Sequence, residues 1–394
     1  MEKVEVDGAG RKKKVLYKLD PVAGGSVRLT IDWRVQEAAE KAMEDKNGAV
    51  IAMSPKTGEV FAITSHPNFD PNLFVSGFEK NEWSKIVNNP FHPLQNKAIQ
   101  GIFPPGSTFK IVTALAALEE GIINRHTSFY CNGKKRVGNR DFRCWKDSGH
   151  GSVDVHKAMV ESCDVFFYEV SLKLGAEKLA KYARLLGLGE KTEINIPGEL
   201  DGIVPSPNWK KERYKKNWVD GDTLPFAIGQ GYLTISPIQL AVAYSAFVNG
   251  GYVIKPTVIK EIEVGDDKKV TEDVPKVKSS VYLNPETIDI VRKGLIGVVN
   301  EPTGTGKTSK LENIIVAGKT GTAQVRSFKE RKKLSGFMND HAWFVAFAPA
   351  YDPEIVVSVF VMHGGHGGTV AAPIAKKVLE AFFYKDKHNG KNNN

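Results

Sequence analysis

The stretch NKAIQGIFPPGSTFK, residues 96–110, decides the fold. Pro104-Pro105-Gly106 stops the preceding chain and places Ser107 at or near the first turn of a helix predicted over 107–119. Phe109, Ile111, Val112, Leu115, Ala117 and Leu118 fill most of that helix's surface. A helix apolar nearly all round is a buried one. Ser107 and Lys110 are three residues apart, so they share a face. A serine hydroxyl is a poor nucleophile until a base takes its proton, and a neutral amine can do so. Burial or a second cation lowers a lysine pKa toward that state. The helix N-terminus then favours negative charge developing on an acylated carbonyl. Alone, Ser-x-x-Lys is more often a capping serine followed by a surface lysine.

Two other segments change that reading. Gly318-Lys-Thr-Gly-Thr322 lies inside an apolar strand predicted over 314–325. Glycine in a strand interior costs stability and marks close backbone approach. Lys319, Thr320, Gly321 and Thr322 suit a substrate lying along the strand, with its carboxylate held by the amine and the hydroxyls. Ser162-Cys-Asp164 falls within a helical region predicted over 155–174, where a second serine and a carboxylate could pass a proton to and from Lys110. Each segment by itself has a bland account, an edge-strand lysine or a turn pair. In this order, on helix, helical region and strand, they match a known catalytic set.

The rest of the chain frames these segments. Strands over 27–30, 48–53 and 59–64 and a helix over 33–42 precede the serine. Helices over 176–186, 237–248 and 285–299 follow it. The last hundred residues return to strands at 341–348 and 355–362, with a final helix over 370–384. That order predicts an α+β fold: a mostly antiparallel central sheet drawn from both chain ends, with flanking helices and an inserted helical subdomain. Residues 260–282, charged and poor in apolar side chains, read as an exposed excursion.

The 394 residues are 41% apolar and 25% charged, which excludes disorder, and three cysteines exclude a disulfide scaffold. A net charge of +9 suits an anionic partner without selecting one. No run approaches the roughly 18 apolar residues a membrane helix needs, and the first residues are not a signal peptide.

Several segments, SHPNFDPNLF (65–74), NKAIQGIFPPGSTFK (96–110), IGQGYLTISPIQLAVAYSAFVNGG (228–251), AGKTGTAQV (317–325) and HAWFVAFAPA (341–350), resemble a class B penicillin-binding protein transpeptidase domain. ESCDVFFYEV (161–170) and WKKERYKKNWVDGDT (209–223) are similar to its elongation-type subgroup, the penicillin-binding protein 2 group. The resemblance implies the serine β-lactamase-like fold over 27–385, with 1–26 the remnant of an N-terminal pedestal domain and 386–394 a polar tail. It implies a D,D-transpeptidase that cross-links peptidoglycan, with possible carboxypeptidase side activity. Ser107 would be the acylated nucleophile, Lys110 its base and Ser162 a proton relay. Lys319, Thr320, Gly321 and Thr322 would bind the terminal D-alanine, and backbone N–H groups of Ser107 and Thr322 would form the oxyanion hole. Asp164 departs from the family's Asn, and a carboxylate cannot donate the amide hydrogen bond unless protonated. The implied partners are a stem pentapeptide, β-lactams, the membrane and a glycan-polymerising membrane protein, with no nucleic acid. The implied location is the extracytoplasmic face of the cell membrane, through a missing anchor. Rival readings are a serine β-lactamase, for which no water-activating motif is present, and a non-catalytic penicillin sensor.

Cys131, Cys144 and Cys163 surround His150 as C-x12-C-x5-H-x12-C. Three thiolates and one imidazole would satisfy structural Zn²⁺ tetrahedrally, with no open position and no part in the chemistry. The alternatives are a Cys131–Cys144 disulfide or three unrelated buried thiols. The resemblance adds that some members of the subgroup bind zinc in the corresponding region. Gly304-Thr-Gly-Lys-Thr308 imitates a phosphate loop but has Glu301 where the pattern needs glycine. His363 and His366 in HGGHGG read as a glycine-rich turn. The basic clusters 209–216 and 329–333 suit anionic peptidoglycan or lipid head groups, but solvated surface is the simpler account.

Overall fold

The computed structural model describes residues 2–20, 24–264, 268–271, 274–325 and 339–384. The basic cluster 329–333 and the tail 386–394 lie outside them. Two compact units divide the chain, one of residues 1–29 and 259–273, the other of 30–258 and 274–394.

The smaller unit is built of strands. Glu2–Val6 and Lys12–Lys18 form an antiparallel hairpin, and Ser26–Leu29, Ile259–Val264 and Lys268–Thr271 form a three-stranded sheet with Ile259–Val264 central. The excursion expected over 260–282 is therefore largely strand, since Val277–Ser280 also pairs, with Tyr252–Ile254 in the larger unit. Backbone pairing holds these strands, and sequences such as IKEIEV (259–264) carry no regular apolar period to reveal it.

The larger unit centres on five antiparallel strands in the order Ala317–Ala323, His341–Ala348, Ile355–Val361, Gly48–Met53, Val60–His66. Both chain ends contribute, as the order of predicted elements required. Side chains alternate faces along each strand. Trp343, Val345 and Phe347 join Phe109, Phe226 and Tyr244 in a core with the helical subdomain. Phe344 and Ala346 face the opposite way, onto Val35, Val298 and Leu379. Lys319 pairs with Val345, so its side chain faces the helical subdomain. Among the described residues the strand Ala317–Ala323 pairs with a strand on one side only, so its other edge has no strand partner.

Two elements differ from expectation in ways that matter below. The helix expected over 107–119 opens with a 3₁₀ turn, Gly106–Phe109, before the α-helix Lys110–Glu119. The helix expected over 155–174 is two, Val155–Val160 and Asp164–Leu174, broken at Ser162, whose φ is +56°. Glu161-Ser-Cys-Asp164 contains neither glycine nor proline, so no breaker residue marks the break. Among the described residues no helix is long and apolar enough to cross a membrane.

Candidate active site

Ser107 sits where chain segments meet. Gly106, at φ +57°, lies against the edge strand so closely that a Cβ there would come 2.7 Å from the carbonyl oxygen of Thr322. Its N–H donates to the carbonyl of Gly229 (2.9 Å), and Gln230 Nε2 donates to the carbonyl of Thr322 (3.1 Å). Behind the turn, the Tyr244 hydroxyl donates to the carbonyl of Thr108 (2.9 Å) and Thr108 Oγ1 to that of Pro105 (2.8 Å). Only glycine allows such approach at positive φ, so Pro104-Pro105-Gly106 sets the position of Ser107 as well as the helix start.

One turn on, Lys110 is fully buried. Its Nζ donates to Ser162 Oγ (3.1 Å), to the Ser162 carbonyl (2.8 Å) and to Asp164 Oδ1 (2.7 Å). The left-handed backbone at Ser162 presents hydroxyl and carbonyl to one amine. Asp164 Oδ2 accepts from the backbone N–H of Trp145 (2.9 Å), whose indole Nε1 donates to the carbonyls of Glu161 (3.0 Å) and Ser162 (3.1 Å). Burial pushes the Asp164 carboxyl up, and Lys110 opposes that shift. Asp164 thus acts as acceptor on both oxygens, not as the amide donor the family's Asn supplies.

Lys319 is also fully buried. Burial pulls its amine well below the usual lysine range, with repulsion from Lys110 adding to the effect and Asp164 opposing it. Thr320 Oγ1 shares a 2.8 Å hydrogen bond with Thr305 Oγ1. Thr305 belongs to the phosphate-loop look-alike, which follows the helix Pro285–Asn300 rather than a strand. There the Gly306 N–H is spent on the Val298 carbonyl. HGGHGG is a turn against the same strand, with His363 Nδ1 beside the Asn339 carbonyl (2.9 Å) and its N–H donating to His341 Nδ1 (3.1 Å).

The four proposed metal ligands also gather. One ligand atom from each of Cys131, Cys144, His150 and Cys163 lies within 4.8 Å of the others, all four side chains are buried, and the thiols are unpaired with one another. His150 Nδ1 is 3.5 Å from both Cys131 Sγ and Cys144 Sγ. Tetrahedral zinc at ordinary bond lengths separates sulfur from nitrogen by about 3.6 Å. The set fits that ion, and the free thiols do not fit the Cys131–Cys144 disulfide. The site abuts the catalytic cluster: the Asp164 N–H points to Cys144 Sγ (3.4 Å), and Cys163 separates Ser162 from Asp164.

Sequence reasoning thus named the residues that gather but missed Trp145, Gln230, Tyr244 and Thr305. Gln230 and Tyr244 lay within a quoted family segment, whereas nothing local marked Trp145 or Thr305.

The description "Penicillin binding protein transpeptidase domain" matches residues 48–380. A Haemophilus influenzae protein named peptidoglycan D,D-transpeptidase MrdA is 37% identical over 97% of this chain and 60% of its own length. The chain thus spans about 60% of the length of such curated relatives. A solved structure of Pseudomonas aeruginosa PBP2 in complex with WCK 5153 superposes with a TM-score of 0.81 at 37% identity, covering 93% of this chain and 77% of that one. A Helicobacter pylori PBP2 in complex with MreC gives 0.81 at 31%, covering 97% and 68%.

Proposed function

The chain belongs to the penicillin-binding protein transpeptidase family, and we propose that it carries the D,D-transpeptidase activity of a penicillin-binding protein 2. Ser107 Oγ attacks the carbonyl of the penultimate D-alanine of a stem pentapeptide, and its proton passes to Lys110. The tetrahedral intermediate collapses, the C–N bond breaks, and the terminal D-alanine leaves with a proton relayed through Ser162. An amine from a neighbouring stem then attacks the ester, forms the new amide and returns Ser107 to its hydroxyl. β-Lactams open their ring on the same serine and stay there. One observation carries this reading. The buried Lys110 amine, one turn from Ser107, reaches both Ser162 Oγ and Asp164 beside a glycine-bearing edge strand.

Asp164 Oδ1 accepts from the same amine and holds it at Ser162. Lys319, Thr320 and Thr322 hold the substrate's carboxylate, Gly321 lets its backbone approach, and the substrate adds to the edge of Ala317–Ala323 as a further strand. Residues 1–26 are the remnant of a pedestal domain. In the whole protein a membrane anchor and a glycan-polymerising membrane partner complete the assembly.

Fluorescent penicillin tests the activity. A stable one-to-one adduct, followed by cross-linking of a donor pentapeptide to an acceptor amine, is expected. Fast release of the label would mark a β-lactamase instead, and labelling without cross-linking a sensor.

Zn²⁺ held by Cys131, Cys144, His150 and Cys163 would clamp the segment carrying Ser162. Purified protein is expected to hold one equivalent, and stripping it with a strong chelator to lower the melting midpoint by about 5 °C or more. Less than half an equivalent, with two thiols reactive only after reduction, would favour the disulfide.

A further inference from the structure

The basic cluster 209–216 is part of a built surface. Pro207–Tyr214 and Asp220–Ala227 are short helices, joined by a loop in which Lys215 takes φ +56°. Trp209, Tyr214 and Tyr232 form a triangle of rings with centroids 5.4–5.7 Å apart, and Trp218 adds a fourth ring 6.4 Å from Tyr232. Beneath them the buried Lys210 ammonium pairs with Asp222 at 2.5 Å, lying 5.8 Å from the Tyr232 ring centre and 5.9 Å from that of Trp218. The Trp218 indole N–H donates to Thr223 Oγ1 at 2.8 Å. The array is thus fixed from below. Above, Tyr214 is 46% exposed, and the Arg213 guanidinium lies 5.9 Å from the Trp209 ring and 6.0 Å from that of Tyr214. Rings gathered only to bury one another would not leave a tyrosine half open under a cation.

Beneath the surface, the rings pack toward the site through the core. Trp218 meets Phe226 at 6.2 Å, and Phe226 stacks on Phe109 at 5.5 Å, two residues from Ser107. Tyr232 follows two residues after Gln230, whose side chain touches the Thr322 carbonyl. Two residues span at most about 7 Å of chain, whereas the four stem residues between a scissile D-Ala–D-Ala bond and its sugar span about 13–14 Å when extended. A stem extending from the strand edge therefore has the length to bring its sugar to these rings. A flat aromatic face takes the C–H face of a sugar ring, and Arg213 and Lys215 on its rim match carboxylates on the attached peptide.

We propose that this platform binds the saccharide end of the donor, an N-acetylated amino sugar bearing a carboxylate-rich peptide. The proposal rests on the transpeptidase reading above. The test compares kcat/KM for a disaccharide-pentapeptide donor with that for the free pentapeptide. The native protein is expected to prefer the sugar-bearing donor. Tyr214→Ala and, separately, Lys215→Glu are expected to lower that preference about three- to tenfold. Both residues are exposed, and penicillin labelling reports whether each variant keeps its folded site. A native preference near unity, or one that neither variant lowers, would overturn the platform while leaving the transpeptidase standing. A native protein that penicillin does not label would overturn both.

Discussion

Ser107→Ala abolishes covalent uptake of penicillin and lowers cross-linking at least about ten-thousandfold, the scale seen when a serine nucleophile is removed. The fold should be untouched. Ser107 is partly exposed on the 3₁₀ turn, and the approach of Gly106 to Thr322 and the bond from Tyr244 to Thr108 hold that turn without its hydroxyl. A variant with an unchanged melting midpoint that still took up fluorescent penicillin covalently would remove the serine from the mechanism.

Lys110→Met is expected to cost both rate and stability. Without the amine no base sits one turn from Ser107, and acylation should fall by about three orders of magnitude. Asp164 meanwhile keeps its burial and loses its cation, and breaking a buried ion pair from one side costs about 3–5 kcal/mol. The two effects separate in the double variant Lys110→Met/Asp164→Asn, which removes the stranded charge. Its melting midpoint should recover most of the loss while its acylation rate stays low. Recovery of the rate along with the midpoint would show that Lys110 acts through structure alone.

The fold's frame was legible because it rests on long apolar strands and buried helices. His341–Ala348, Gly48–Met53 and Pro237–Val248 fall where periodicity and capping put them. Where hydrogen bonding overrides apolar pattern, the sequence was silent. The break at Ser162 carries a left-handed residue with no glycine to announce it, and the charged strand Ile259–Val264 offers no half-buried alternation. The same distinction holds at the site. Ser107, Lys110, Ser162, Asp164 and Lys319 match a known set of spaced motifs, so their order alone singled them out as candidates. Trp145 acts through its backbone N–H and indole on a carboxylate far along the chain, and Thr305 acts through one hydroxyl from a turn that imitates another function. Contacts of that kind have no local signature.

The central sheet joins Met53 directly to Val356. During synthesis the first two strands therefore emerge long before the partner that must lie beside them, and such non-local pairing is slow to close. Lys319, meanwhile, has no sheet to lie in until His341–Ala348 has been made. A chain halted before its last strands would display the nucleophile's helix but no registered edge on which to lay a peptide. The edge on which Lys319 lies is thus completed only after His341–Ala348 has been made, well after the helix that follows Ser107.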